Sequence, residues 1–207
     1  GVINGCRLLL LEEEHLDAEL SEMLHLIEQQ AEKALHMIGL SLDLYKIEAG
    51  TYAYAPESVD LMAVVREAVG NLSGKIADKG MSVPVLLDGR EARDGESLEI
   101  PANPLLLETM VSNLLLNAVE ASPEGGQAVA RVDRGDPVCL TITNTGAVPR
   151  DVRETFFDKY ATSGKSGGTG LGTYSARLAA TAMGGTIELS CSDEEDRTTV
   201  RVTLPAA

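Results

Sequence analysis

The chain has 207 residues and a formal net charge of −15, which leaves no basic face of the kind that a nucleic acid or an anionic membrane surface requires. No apolar run approaches the ~18–20 residues of a membrane span, and no signal-peptide pattern is present. Cys6, Cys139 and Cys191 form no CxxC pair, so neither a zinc cluster nor a disulfide framework is indicated, and a reducing cytoplasm is the expected compartment. The 44% hydrophobic content supports a packed core, and the 3% aromatic content makes that core aliphatic. The chain opens on Gly1-Val2 in apolar sequence and reads as a piece of a longer protein.

The first fifty residues hold no proline. Leu16, Leu20, Met23, Leu24, Ile27, Ala31, Ala34, Leu35, Ile38, Leu42 and Tyr45 recur at steps of three and four, a helical stripe about 45 Å long at 1.5 Å per residue. Asp17 is its expected cap, with Glu19 and Glu22 favouring the dipole in the first turn. Residues 2–11 read as the end of a preceding helix and residues 12–15 as the turn. Two antiparallel helices cannot cover so long an apolar seam. The expectation is a second copy completing a four-helix bundle, with packing against the rest of the chain as the alternative.

After Gly50 and Pro56 the pattern changes. Residues 59–77 read as helix, and 82–87 and 97–100 as strands flanking a Gly/Asp/Arg-rich turn. Asn103-Pro104 is a cap followed by proline at the first helical position, opening a helix that runs to about Ala121 and stops at Ser122-Pro123. Residues 128–133 and 138–143 alternate as strands around a turn at 134–137. Residues 145–172 are rich in glycine, and a loop so long is usually functional or disordered. Residues 173–183 read as helix. Residues 186–190 and 199–204 form a last strand pair around the acidic turn 193–196. The second part is therefore α+β.

Three features could carry chemistry. Asn113 and Asn117 lie four apart and share one face of the 103–121 helix. Helix interiors disfavour Asn, and a carboxamide oxygen suits Mg²⁺; two surface asparagines are the other reading. Gly168-Thr-Gly170-Leu171-Gly172 precedes a helix whose N-terminal N–H groups can hold phosphate. It follows a loop and not a strand, so it is no dinucleotide fingerprint, and Lys159 stands where a P-loop ending at Lys165 needs glycine. Asn144-Thr-Gly146 closes a strand, where an amide can both accept from an adenine amino group and donate to a ring nitrogen; an ordinary Asn turn is the alternative.

Taken in order, Asn113/Asn117, Asn144-x-Gly146, Phe156-Phe157 before Thr162, and Gly168-Thr-Gly-Leu-Gly172 resemble the N, G1, F and G2 boxes of sensor histidine kinases, within the GHKL-type ATPase superfamily. Residues 42–50, LDLYKIEAG, resemble the end of that family's dimerisation and phosphotransfer hairpin, and Val200–Pro205 its last strand. The resemblance implies a helical hairpin over 1–55, forming a four-helix bundle on dimerisation. It implies an ATP-binding α/β sandwich over 56–207 with a mixed sheet and three main helices. By resemblance, Asn117 ligates Mg²⁺ and Asn113 supports the phosphates. Asn144 contacts adenine, with Gly146 giving room, and residues 149–169 form a lid. Gly168, Gly170, Leu171 and Gly172 cradle the triphosphate, Lys165 reaches it, and Thr162 and Thr199 complete the nucleotide contacts. The implied activity is an ATP-dependent histidine kinase, with a homodimer through residues 1–50 and a response-regulator receiver domain as partner, and no contact with nucleic acid or membrane.

The gyrase-like branch carries a water-activating glutamate four residues before the Mg²⁺-binding Asn. Here that residue is Asn113, a poor base, which favours transfer over hydrolysis. Three departures stand out. Asn144 replaces the usual Asp, and Glu120 replaces a common basic residue. His15, His25 and His36 each precede an apolar residue, where the family's acceptor precedes an acid. The acceptor is expected roughly six residues before Gly1, within the ±2–4 residue precision of such matching. A catalytically silent dimeric scaffold, a GHKL-type ATPase and an anti-sigma-type serine kinase are the other readings.

Overall fold

The computed structural model describes residues 23, 24, 26, 27, 31, 38, 42, 45–161 and 170–206. The chain divides into two units, Gly1–Gly50 and Thr51–Ala207. In the first, the described residues up to Glu48 are helical, and Gly50 follows with φ +67°. The Asp17 cap, the preceding helix and the hairpin turn lie outside the described residues. Among the described residues, no helix is long and apolar enough to cross a membrane.

In chain order, the second unit contains β1 (Glu57–Asp60), α1 (Leu61–Asn71), α2 (Ser73–Asp78), β2 (Val85–Leu87), β3 (Arg90–Glu91), β4 (Glu99–Ala102), α3 (Pro104–Ala121), β5 (Ala128–Asp133), β6 (Val138–Thr145), α4 (Arg150–Arg153), α5 (Gly172–Ala182), β7 (Thr186–Ser192) and β8 (Arg197–Leu204). A six-stranded mixed sheet runs β3-β2-β5-β6-β8-β7, with β1 and β4 forming a separate pair. Only β2 and β5 are parallel neighbours in the six-stranded sheet; the other adjacent pairs are antiparallel.

The start of this unit departs from the sequence expectation. Residues 57–60 form a strand, and the helix begins only at Leu61, because Asp60 caps it. Its carboxylate accepts from Met62 N at 3.0 Å and from Leu98 N at 2.9 Å. The helix then breaks at Leu72 into α1 and α2. The two expected strands at 82–87 and 97–100 do not form a hairpin. β2 pairs with the two-residue β3, and β4 pairs with β1 through Val59 and Ile100. A helical period and a cap are local signals, whereas this pairing joins residues some forty positions apart.

Elsewhere local chemistry fixes the elements. The Asn103 side chain accepts from Leu106 N at 3.0 Å, and Pro104 opens the 18-residue α3. Strand burial alternates: Val200, Val202 and Leu204 are buried on β8 while Arg197 and Arg201 are exposed. Three longer helices supply the other layer. Helix α3 packs against α1, α5, β5 and β6, and its Leu106, Leu107, Met110, Val111 and Leu115 are fully buried. Each such side chain contributes about 1.5–3 kcal/mol of transfer free energy, so α3 is the rigid platform of the domain.

Candidate nucleotide-binding site

Helix α3 carries Thr109, Asn113 and Asn117 at successive steps of four. Both asparagines are half-buried. Thr109 is buried, and its Oγ1 is the one buried side-chain oxygen among the described residues without a hydrogen-bond partner. This polar stripe lies on a helix half of whose residues are buried.

Helix α5 comes to this stripe by its N-terminus. A Cβ on Gly172 would lie 3.5 Å from Asn113 Oδ1, so the first residue of α5 stands directly against the first asparagine. Leu171, 37% exposed, occupies the N-cap position without a side-chain cap. The first-turn N–H groups of an uncapped helix form a positive end suited to an anion. A neighbouring amide face suits a hard cation that accompanies the anion. The residues present therefore fit a magnesium–triphosphate group. Among the described residues, no cluster of three or more His, Cys, Asp or Glu could hold a metal.

Asn144 is 5% exposed and lies on the buried, helix-facing side of β6. Its Nδ2 donates to Thr145 O at 2.8 Å, which orients the amide. The chain then turns at Gly146, whose φ of +102° lies where side chains are strained. The turn is tied to the neighbouring β7–β8 turn. Gly146 N donates to Asp196 O at 2.7 Å and Ala147 N to the Asp196 carboxylate at 2.9 Å. Thr198, the register partner of Asn144, donates its hydroxyl to Gly146 O at 2.7 Å and accepts from Val148 N at 3.1 Å.

Thr199 does not join this group. Strand alternation puts it on the opposite face of the sheet, where its hydroxyl lies 3.2 Å from that of Thr143. Thr198, one residue earlier, is buried beside Asn144. The period of two would have distinguished them once the β6–β8 register was known.

Beyond Gly146 the loop is anchored by ion pairs. Arg150 donates to Asp193 Oδ2 at 2.6 and 2.9 Å, and Arg153 joins the same carboxylate while its Nε donates to Val148 O at 2.7 Å. The hydrogen bonds from Arg153 and then Arg150 hold the Asp193 carboxyl below the usual range. Phe156 and Phe157 meet edge to face at 5.0 Å. Thr173 Oγ1 donates to Phe156 O at 2.7 Å and Arg177 bonds Asp158 at 3.1 Å, tying this segment to α5. Tyr160 N donates to Gly170 O at 3.0 Å, and both residues have φ of +64°. Thr162, Lys165 and Gly168 lie outside the described residues.

Glu120 is paired. Its carboxylate accepts from Lys75 Nζ at 3.0 Å. This acid, which stands where a basic residue is common, is thus matched by an exposed cation from α2, forty-five residues earlier, for which no local sequence signal exists.

Residues 102–207 match the family model described as histidine kinase-, DNA gyrase B-, and HSP90-like ATPase. The virulence sensor protein BvgS of Bordetella pertussis is 30% identical over 168 residues, covering 76% of this chain and 13% of that protein. The sensor-like histidine kinase SenX3 of Mycolicibacterium smegmatis is 26% identical over 167 residues, covering 77% of this chain and 42% of that protein. The mycobacterial sensor histidine kinase MprB superposes with a TM-score of 0.62 at 22% identity, covering 73% of this chain and 97% of that structure. The chain thus spans less than half the length of these two sequence relatives.

Proposed function

The chain belongs to the histidine kinase-, DNA gyrase B-, and HSP90-like ATPase family and carries a catalytic domain homologous to those of two-component sensor kinases, and we propose that it is the kinase core of such a system. In this reading it binds Mg-ATP on the cytoplasmic side. The γ-phosphoryl leaves the β-phosphate oxygen for an imidazole nitrogen, expected before Gly1, releasing ADP and a proton, and then moves to a response-regulator aspartate. Residues 1–50 dimerise the chain.

One observation carries the reading: Asn113 stands against Gly172 at an uncapped helix N-terminus, with Asn117 one turn further on the same face. Asn117 would hold Mg²⁺ while Asn113 and the first-turn N–H groups of α5 receive the phosphates. Magnesium supplies charge neutralisation to a transfer that the protein otherwise promotes by positioning. The orientation of Asn144 supports adenine recognition, since an Nδ2 engaged by Thr145 O leaves Oδ1 to accept from the exocyclic amine. Thr198, the register partner of Asn144, supports the reading by bonding both sides of the Gly146 turn, whereas Thr199 lies on the other face of the sheet. The residue four before Asn117 is an amide and not a carboxylate, which supports transfer over hydrolysis.

The test is calorimetric titration with ATP, with and without Mg²⁺, of the wild type and Asn117→Ala. The expected result is Mg²⁺-dependent binding lost in the variant. Labelled ATP should then phosphorylate a dimer partner carrying the upstream helix. Binding without label transfer would favour the silent scaffold; no binding at millimolar ATP would overturn the nucleotide reading.

A further inference from the structure

The last turn of α3 exposes carbonyls that the helix itself cannot satisfy. A single ammonium reaches three of them. Lys79 Nζ donates to Val119 O at 2.9 Å, to Glu120 O at 3.0 Å and to Ser122 O at 2.7 Å. These use all three of its N–H donors, and they place a positive charge on the negative end of the helix. The backbone of the same residue is engaged as well, for Lys79 O accepts from Gly125 N at 2.8 Å. Gly80 follows with φ +59° and donates to Ala77 O, turning the chain so that the lysine lies across the helix end.

The clamped turn is also a wall of the site. A Cβ on Gly146 would lie 3.1 Å from Ala121 O, so the turn after Asn144 rests on the one carbonyl that falls between those of Glu120 and Ser122, which Lys79 holds. Asn117 is one turn upstream on the same helix. Lys79 is therefore bonded to the element that relates Asn117 to Asn144-Thr-Gly146, although no nucleotide atom need touch it.

We propose that Lys79 is a positioning residue for the nucleotide site: by holding the carboxyl end of α3 it sets the separation between the Asn117 amide and the Asn144–Gly146 turn. The inference rests on the nucleotide reading above. Nearby Lys75 provides the control. It approaches the same region but donates to the Glu120 side chain, with more than half of its own side chain exposed, and to none of these three carbonyls.

The experiment compares wild type, Lys79→Met, Lys79→Arg and Lys75→Met in the 207-residue chain. Each is titrated with Mg-ATP well below its melting temperature, and backbone amide exchange is measured without nucleotide. For Lys79→Met the expected result is exchange about tenfold faster at residues 119–122 and 144–148, and a dissociation constant about tenfold higher. Lys79→Arg, which keeps a cation with several donors, should return binding to within about threefold of wild type. Lys75→Met should stay within about twofold. Should Lys79→Met fail to fold, Lys79→Gln, which keeps one donor group, takes its place in the same titration. A wild type that binds while the Lys79 variant binds equally well, whatever its melting temperature, would overturn the inference and leave the nucleotide reading standing. A wild type that does not bind would overturn both.

Discussion

Gly146 and Ala121 meet at the end of the platform helix: a Cβ on the glycine would stand 3.1 Å from the alanine carbonyl oxygen, and its φ is +102°. The backbone conformation strains any side chain there, and the space for a Cβ is tight. Gly146→Ala is expected to destabilise the domain by about 1–3 kcal/mol, the cost of a residue held in a sparsely populated conformation. Urea denaturation measures it. Gly172 is the contrast. Its added Cβ would make ordinary contact with Asn113 at 3.5 Å, so Gly172→Ala should change stability by less than about 0.5 kcal/mol. The same methyl would stand over the Asn113 amide, which is proposed to receive the phosphates, so Mg-ATP affinity should fall while the fold holds.

Thr198 bonds both sides of the same turn. Thr198→Val keeps the shape but leaves Gly146 O and Val148 N without the hydroxyl. A loss of about 1–3 kcal/mol is expected for buried groups left unpaired, again from urea curves. Thr199→Val, on the other face of the sheet, should leave ATP affinity unchanged. A fall in affinity for Thr199→Val alone would reverse the assignment of the two threonines.

Asp193 joins Arg150 and Arg153, and its carboxyl is held below its usual range by them. Asp193 and Arg150 are exposed and Arg153 is half-buried, so Asp193→Asn should move the melting temperature little. It should instead speed amide exchange at residues 147–153, where Arg153 also holds Val148 O. Unchanged exchange there would show that the loop stem needs no such anchor.

Glu96 gives a pH signature at the opposite end of the sheet. Its carboxyl is lowered to about 2, first by the Arg90 guanidinium and then by the Arg93 backbone N–H. Because the folded value lies below that of an unfolded Glu, about 4.3, the stabilisation is fully present above that pH. It is lost as pH falls toward 2. A carboxyl-detected NMR titration should place the Glu96 carboxyl at about 2. Glu96→Gln should flatten this part of the acid dependence of stability.

How much of this was legible beforehand depended on the reach of each signal. The Asn103 cap and Pro104 are adjacent, and α3 begins there and ends at Ala121 as expected. The 128–133 strand matches its expected bounds, and β6, β7 and β8 extend theirs by two residues. Alternation over a few residues was enough. Residues 59–77 misled because the helical period continues into Val59, while the β1–β4 pairing that claims it involves residues near 100.

The sequence by itself determined most of the elements from α3 onward and the order of the polar and glycine motifs, since caps, periods and turn glycines act within a few residues. Only the tertiary structure decided which motifs meet. It brought Gly172 to Asn113, chose Thr198 over Thr199 beside Asn144, and supplied Lys75 to Glu120 and Lys79 to the end of α3. Those choices rest on strand register and on helix packing across forty or more residues. At that distance, contact is set by which faces bury apolar surface together and not by any local preference of the chain.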